Sequence, residues 1–280
     1  MSMFTVGVVG LGRMGGPMAL HLLKAGFAVA VYDLQPAAIE RIVADGARAM
    51  GSPRAVAERS DVIIVMVVDD EQAAAVVAGP NGLLEGAGPG TVVILCSSLR
   101  PSTVRDLQAI AQPKRVEIAD APVTGGERGA IDGKLTFLVG ASPATFERIL
   151  PVLRAMGPTA EHVGPAGSGQ VVKVVHNLLL WAELAATSEA LQFASRLGVG
   201  GADVRRALQD CPANNWALAR WEDTENIPWA GKDLSSALAI ADEIGAPMPL
   251  AGLVRELMKG WSRPDLRGAG RIEPMEETHR

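Results

Sequence analysis

Within the apolar run GQVVKVVHNLLLWAELAATSEALQFASRLG, three polar residues, Lys173, His176 and Asn177, stand at spacings i, i+3 and i+4. That spacing puts them on one face of a helix, where a core helix has no use for them. A lysine beside a neutral amide suits proton transfer. Oxidising an alcohol removes hydride from carbon while the hydroxyl proton leaves, and a group within hydrogen-bond reach must accept that proton. A lysine does so where burial and a neighbouring positive charge bring its pKa toward neutrality, and in reverse the ammonium protonates the forming alkoxide. Asn177 can donate to or accept from the reacting oxygen without a change of charge. His176 either faces the same site or satisfies a neighbouring carbonyl. Taken alone, a lysine in the first turns of a helix usually snorkels to solvent.

A second group lies near the N-terminus. GLGRMG, made of Gly10, Leu11, Gly12, Arg13, Met14 and Gly15, has G-x-G-x-x-G spacing and falls between the apolar run TVGVVG and the helical pattern GGPMALHLLKAG. Glycines there permit a tight turn and let the backbone approach a pyrophosphate at a helix N-terminus. Asp33 ends the next apolar run, 18 residues after Gly15. A carboxylate in that position accepts hydrogen bonds from an adenine ribose and repels a 2′-phosphate, so NAD is the expected cofactor and NADP the alternative. As a plain turn residue, Asp33 would do neither.

Two further stretches carry chemistry. DAPVTGG, residues 120 to 126, offers the Thr124 hydroxyl and the backbone N–H groups of Gly125 and Gly126, which can grip a carboxylate as a small nest. Lys232 precedes Asp233, an expected N-cap for a helix over 233–244. A cation there opposes the helix dipole, which points to a use other than stability. Trp181, Trp216, Trp221 and Trp229 are expected in a core or an interface rather than at the site.

The elements that must position these residues are readable from periodicity. Continuous apolar runs at 5–10, 28–33, 61–68, 91–96 and 115–120 alternate with helical patterns. Such strands are buried on both faces and imply a parallel sheet with right-handed crossovers, extended by 134–140 and 159–164. Helical periodicity then takes over at 169–197, 201–210, 233–244 and 249–260. The expected fold is α/β, an N-terminal Rossmann-type doubly wound parallel sheet followed by an all-α C-terminal domain joined by a long interdomain helix. The segment GPAGSG marks the boundary, giving a dinucleotide-binding domain over 1–164, a helical substrate and dimerisation domain over 165–262, and a polar tail over 263–280 expected to be mobile. No internal repeat occurs at solenoid periods.

Composition agrees with this division. A chain of 280 residues, 48% hydrophobic and 20% charged, exceeds what one core usually serves. A net charge of −5 with scattered basic residues excludes the electrostatic footprint of nucleic-acid and polybasic membrane binders. Cys96 and Cys211 lack any metal-ligand or disulfide spacing, so no metal is expected and a reducing cytoplasm fits. No signal peptide is read at the N-terminus, and Lys173, His176, Asn177, Glu183 and Glu189 argue against a membrane span at 170–197.

Together, GLGRMGGPMALHLLKAGFAVAVYD, DAPVTGG, GSGQVVKVVHN and KDL resemble, in order and spacing over about residues 5 to 260, the four signatures of the β-hydroxyacid dehydrogenases. This is the family of 3-hydroxyisobutyrate dehydrogenase, tartronate semialdehyde reductase and 6-phosphogluconate dehydrogenase. The resemblance implies hydride transfer between a nicotinamide cofactor and a small 3-hydroxy acid, with Lys173 as the catalytic lysine and Asn177 holding the substrate beside it. It implies that Ser98, Thr124, Gly125, Gly126 and His176 line the substrate pocket, that Val67, Val68 and Ser98 border the cofactor, and that Lys232 closes over its nicotinamide side. Homodimers or homotetramers are the implied assemblies. The chain departs from the usual pattern at His176-Asn177, where Asn-Asn is common, at MVVDD and at LCSSL; Leu180 and the chain's length speak against a phosphorylated sugar acid. Relatives that reduce imines share the architecture but generally carry another residue in place of Lys173, and noncatalytic nucleotide-binding relatives tend to lose it.

Overall fold

The computed structural model describes residues 4–221 and 230–259. Trp229 and the 263–280 tail lie outside the described residues. The chain divides into two compact units, Met1–Lys173 and Val174–Arg280.

In the first unit the strands are β1 (Thr5–Val9), β2 (Ala28–Tyr32), β3 (Arg48–Ala49), β4 (Val62–Val65), β5 (Val92–Leu95), β6 (Glu117–Asp120), β7 (Val123–Thr124), β8 (Thr136–Gly140) and β9 (Thr159–Gly164). Among the described residues they form one nine-stranded sheet in the order β3-β2-β1-β4-β5-β6-β8-β7, with β9 paired to β8. The ladders from β3 across to β6 are parallel. β8 runs antiparallel to β6 and β7, and β9 returns parallel to β8. The chain winds outward from β1 to β3 and then crosses to β4, so the strand order reverses between β1 and β4. In doubly wound sheets ligands bind outside the carboxyl ends of the strands at such a reversal.

Successive strand residues explain why both faces are covered. Val6, Val8, Val29, Val31, Val62, Ile64, Val92 and Ile94 pack into one core with Met18, Ala19 and Leu22 of the Gly15–Lys24 helix. Their alternating neighbours Val9, Ala30, Ile63, Val65, Val93 and Leu95 pack into a second core with Val56, Ala73, Val77, Val104 and Leu107. A period of two with apolar residues on both phases is what a strand between two helix layers requires.

Two short strands were not evident in the sequence. β3 and β7 each have two residues, too few for any periodicity to register. The expected strand over 61–68 ends at Val65, because the Val67 N–H leaves the ladder for the Ser97 hydroxyl at 2.8 Å.

The second unit is helical: Gly201–Leu208, Trp216–Ala219, Ala230–Ile244 and Pro249–Lys259 accompany the C-terminal part of the Ser168–Arg196 helix. Its own core gathers Trp181, Leu184, Leu191, Leu218, Trp221, Leu234 and Val254. Trp216 is instead exposed. Asp233 is not the N-cap expected of it. The helix begins at Ala230, so Asp233 falls within the first turn, and its Oδ2 accepts the Trp181 indole N–H at 3.2 Å. Among the described residues no helix is long and apolar enough to cross a membrane, and no cluster of three or more His, Cys, Asp or Glu is placed to hold a metal ion.

Burial separates the two cysteines. Cys96, at the end of β5, is 1% exposed, and burial followed by the nearby Asp120 charge pushes its thiol up to about 12. Cys211 is exposed. A thiol must ionise to react with a disulfide reagent. Native protein is therefore expected to titrate one thiol with an aromatic disulfide at pH 8, and urea-unfolded protein two. Rapid native titration of both would contradict the buried placement of Cys96.

Candidate active site

The loops that follow β1, β2, β4, β5 and β6 all leave the carboxyl edge of the sheet, and each carries residues singled out by the sequence. After β1 the chain turns through Gly10, at φ 90°, into the Gly15–Lys24 helix. A Cβ at Gly10 would collide with the Met66 carbonyl oxygen, and one at Gly15 with the Gly10 carbonyl oxygen, whereas one at Gly12 would meet open space. The helix has no side-chain N-cap and no acid in its first turn. Crowding behind the loop, space at Gly12 and uncapped N–H donors fit a dinucleotide pyrophosphate.

Asp33, at the end of β2, is half-buried. Its Oδ2 accepts the Leu11 N–H at 2.6 Å and its Oδ1 accepts the Gln35 N–H at 2.8 Å. It thus serves as a turn residue and also fixes the Gly-rich loop, with a carboxylate presented beside it. Arg41 donates to the Leu11 carbonyl at 3.4 Å. Arg13 leaves the loop outward: its Nε donates to Glu127 Oε2 at 2.8 Å, and its Nη2 reaches the same oxygen. That hydrogen bond holds Glu127 below the usual carboxylate range. The pair links the Gly-rich turn to the residue that follows Thr124, Gly125 and Gly126.

Gly125 and Gly126 have φ of 105° and 61°, conformations that favour glycine, and they open the short Gly126–Asp132 helix. Both are exposed, and Thr124 is half-buried. Val67 is half-buried and Val68 exposed at the end of β4. Ser98 is exposed beyond β5, whereas its neighbours Ser97 and Leu99 are buried.

The Ser168–Arg196 helix starts beside the end of β6. Asp120, fully buried, accepts the Gly167 N–H at 2.6 Å and the Gln170 N–H at 2.7 Å, one with each carboxylate oxygen. It caps this helix from a distant strand. Lys173 lies one turn further on and is half-buried. His176, half-buried, and Asn177, buried, continue the same helix face in the second unit, where Lys232 is exposed in the first turn of its helix.

Three positioning residues were not assigned roles from the sequence. Ser97 both donates to the Val67 carbonyl and accepts the Val67 N–H, at 2.8 Å each. Gln170 binds the backbone on either side of Ser98, and Asp120 caps the helix. Each lies inside a stretch singled out by the sequence, LCSSL, DAPVTGG or GSGQVVKVVHN, but its type and spacing there do not reveal its partner.

A doubly wound sheet with this turn, a carboxylate ending β2, and a long helix carrying Lys173 and Asn177 defines a nicotinamide-dependent dehydrogenase with a helical second domain. The family model for the NAD-binding domain of 6-phosphogluconate dehydrogenase matches residues 5–164. A second, for the NAD-binding region of NADP-dependent 3-hydroxyisobutyrate dehydrogenase, matches residues 167–272. The chain is 36% identical to the 2-(hydroxymethyl)glutarate dehydrogenase of Eubacterium barkeri, over 91% of this chain and 88% of that one. It is 35% identical to the 3-hydroxyisobutyrate dehydrogenase of Pseudomonas aeruginosa, over 96% and 95%. The structure of Mycobacterium tuberculosis 3-hydroxyisobutyrate dehydrogenase with L-serine superposes with a TM-score of 0.85 at 29% identity, covering 92% of this chain and 93% of that one. The chain belongs to the β-hydroxyacid dehydrogenase family.

Burial raises the Asp120 carboxyl from 3.8 to about 6, outweighing the lowering effect of its backbone hydrogen bonds. A carboxyl that holds its proton more tightly when folded contributes stability that is full below the unfolded value and lost as pH rises through the folded one. Asp120→Asn removes that titration. The stability of the parent relative to the variant is expected to fall by on the order of 3 kcal/mol between pH 4 and pH 7 and then to level off. Denaturant melts of both proteins across that range check this, and a pH-independent offset would contradict it.

Proposed function

We propose that the chain reversibly oxidises a small 3-hydroxy acid of the 3-hydroxyisobutyrate type to its semialdehyde, with a nicotinamide dinucleotide as redox partner. The observation that carries this reading is the similarity, over nearly the whole chain, to dehydrogenases of 3-hydroxyisobutyrate and of 2-(hydroxymethyl)glutarate. Those two compounds, and the L-serine of the Mycobacterium tuberculosis structure, share one unit: a primary alcohol attached to the carbon that bears the carboxylate. That unit is the proposed substrate class.

The nicotinamide ring, when bound, supplies the hydride acceptor. The other tasks belong to this chain's residues. Gly10 to Gly15 hold the pyrophosphate and Asp33 the ribose hydroxyls. Val67, Val68, Ser98 and Lys232 border the nicotinamide side. Thr124, Gly125 and Gly126, with Ser98, grip the substrate carboxylate through a hydroxyl and backbone N–H groups. Lys173 Nζ takes the hydroxyl proton as hydride leaves carbon and returns it in the reductive direction. Asn177, four residues on, holds the reacting oxygen, and His176 lines the pocket. The positive φ of both glycines and the partial burial of Lys173 support these assignments.

NAD is proposed over NADP because the Asp33 carboxylate would repel a 2′-phosphate. Lys173 favours alcohol over imine chemistry, and it favours a catalytic over a noncatalytic reading, because noncatalytic relatives tend to lose the lysine. A homodimer or homotetramer is proposed, supported by large exposed apolar side chains such as Phe193 at 66% and Ile244 at 73%. Two free thiols accord with a reducing cytoplasm.

Initial rates of NAD and NADP reduction with 3-hydroxyisobutyrate, glycerate, threonate and serine test the reading. The parent is expected to reduce NAD faster than NADP with at least one of 3-hydroxyisobutyrate, glycerate and serine, which carry the proposed unit; threonate, whose primary alcohol is one carbon further from the carboxylate, is the control. Lys173→Ala is expected to bind NAD unchanged while kcat falls by at least about 10²-fold. Turnover undiminished in the variant would remove Lys173 from the mechanism.

A further inference from the structure

Gln170 is 1% exposed, and its side-chain amide and backbone N–H are engaged. Its side-chain Nε2 donates to the Ser97 carbonyl at 2.8 Å, its Oε1 accepts the Leu99 N–H at 2.9 Å, and its backbone N–H goes to Asp120. The two side-chain bonds fall on the peptide groups flanking Ser98, so a single amide holds the backbone on both sides of that residue and leaves the Ser98 side chain exposed. Ser97 in turn is tied through its hydroxyl to Val67. A chain of hydrogen bonds therefore runs from the loop after β4, through the loop after β5, to the first turn of the long helix. Lys173 follows Gln170 by one turn.

Only a side chain with one donor and one acceptor, of this length, can make both bonds. Glutamate would set an acceptor against the Ser97 carbonyl. Methionine, of similar shape, would leave a buried N–H and a buried C=O unpaired.

We propose that Gln170 is a positioning residue that fixes the Ser98 loop relative to Lys173, so that carboxylate grip and proton transfer operate on one substrate at the correct separation. The inference rests on the proposed dehydrogenase reading. Misplacement of a reacting group by about 1 Å costs on the order of 10²-fold in rate, although no contact to substrate is lost. Gln170 touches neither substrate nor cofactor in this scheme and acts through Ser98.

The test uses the full chain and the variants Gln170→Met, Gln170→Glu, Ser98→Ala and the double variant Gln170→Met/Ser98→Ala. Hydrogen exchange over residues 96–100, NAD affinity by tryptophan quenching, and kcat and KM for the best panel substrate are measured for each. In Gln170→Met, exchange at Leu99 is expected to accelerate at least tenfold, NAD affinity to stay within threefold, and kcat/KM to fall on the order of 10²-fold. Ser98→Ala is expected to cost far less in the Gln170→Met background than in the parent. Gln170→Glu keeps an acceptor for the Leu99 N–H but turns the Ser97 contact repulsive; it is expected to lower kcat/KM at least as far as Gln170→Met with a smaller gain in Leu99 exchange, and it carries the test if Gln170→Met fails to fold. Unchanged Leu99 exchange, or additive effects of the two substitutions, would overturn the assignment. A parent that turns over no member of the panel would overturn the dehydrogenase reading and this inference with it; changed Leu99 exchange in that case would mark the tie as structural only.

Discussion

The arrangement hangs on a buried carboxylate at the start of a helix. Asp120 ends a central strand, and its two oxygens receive the N–H groups of Gly167 and Gln170. A helix start leaves its first N–H groups without intrahelical partners. A negative charge there is favoured by the dipole, yet burial makes the charge costly, and the raised pKa of Asp120 records that conflict. The consequence is geometric. The first turns of the Ser168–Arg196 helix are fastened to the sheet, and Lys173 sits on the fastened part, within the first compact unit.

From this anchor the rest of the carboxyl edge follows. Gln170 extends the connection to the loop after β5 and Ser97 extends it to the loop after β4. Asp33 fixes the Gly-rich turn from the other side through the Leu11 N–H. The loops after β4 and β5 and the start of the long helix are thus joined to one another by buried side chains, and half-buried Asp33 holds the Gly-rich turn, rather than these segments being left to surface mobility. Preorganisation of this kind is what a reaction needs when its rate depends on the placement of a proton acceptor.

Much of this was legible in the sequence. Five apolar runs on both phases of a two-residue period, with helices between them, announce a sheet covered on both faces, and the cores around Val8 and Ile63 realise it. GLGRMG and Asp33 declare themselves because their chemistry needs residues of fixed type at fixed spacing. Asp120, Ser97 and Gln170 do not, because they act through partners 30 to 73 positions away in sequence, and no local pattern encodes such a distance. β3 and β7 were missed for shortness. Asp233 resembles a cap because a carboxylate ahead of an apolar periodic run usually is one, whereas in the structure it lies inside the helix and accepts the Trp181 indole N–H.

In the proposed reaction hydride leaves the alcohol carbon of a 3-hydroxy acid directly, while Lys173 receives the proton. The most direct measurement uses 3-hydroxyisobutyrate deuterated at the alcohol carbon, incubated with the parent and NAD, with the reduced cofactor examined by NMR. Deuterium on C4 of the nicotinamide, on one face only, together with a slowed initial rate, is the expected result. Reduced cofactor without deuterium, or consumption of the acid without reduction of the cofactor, would contradict it.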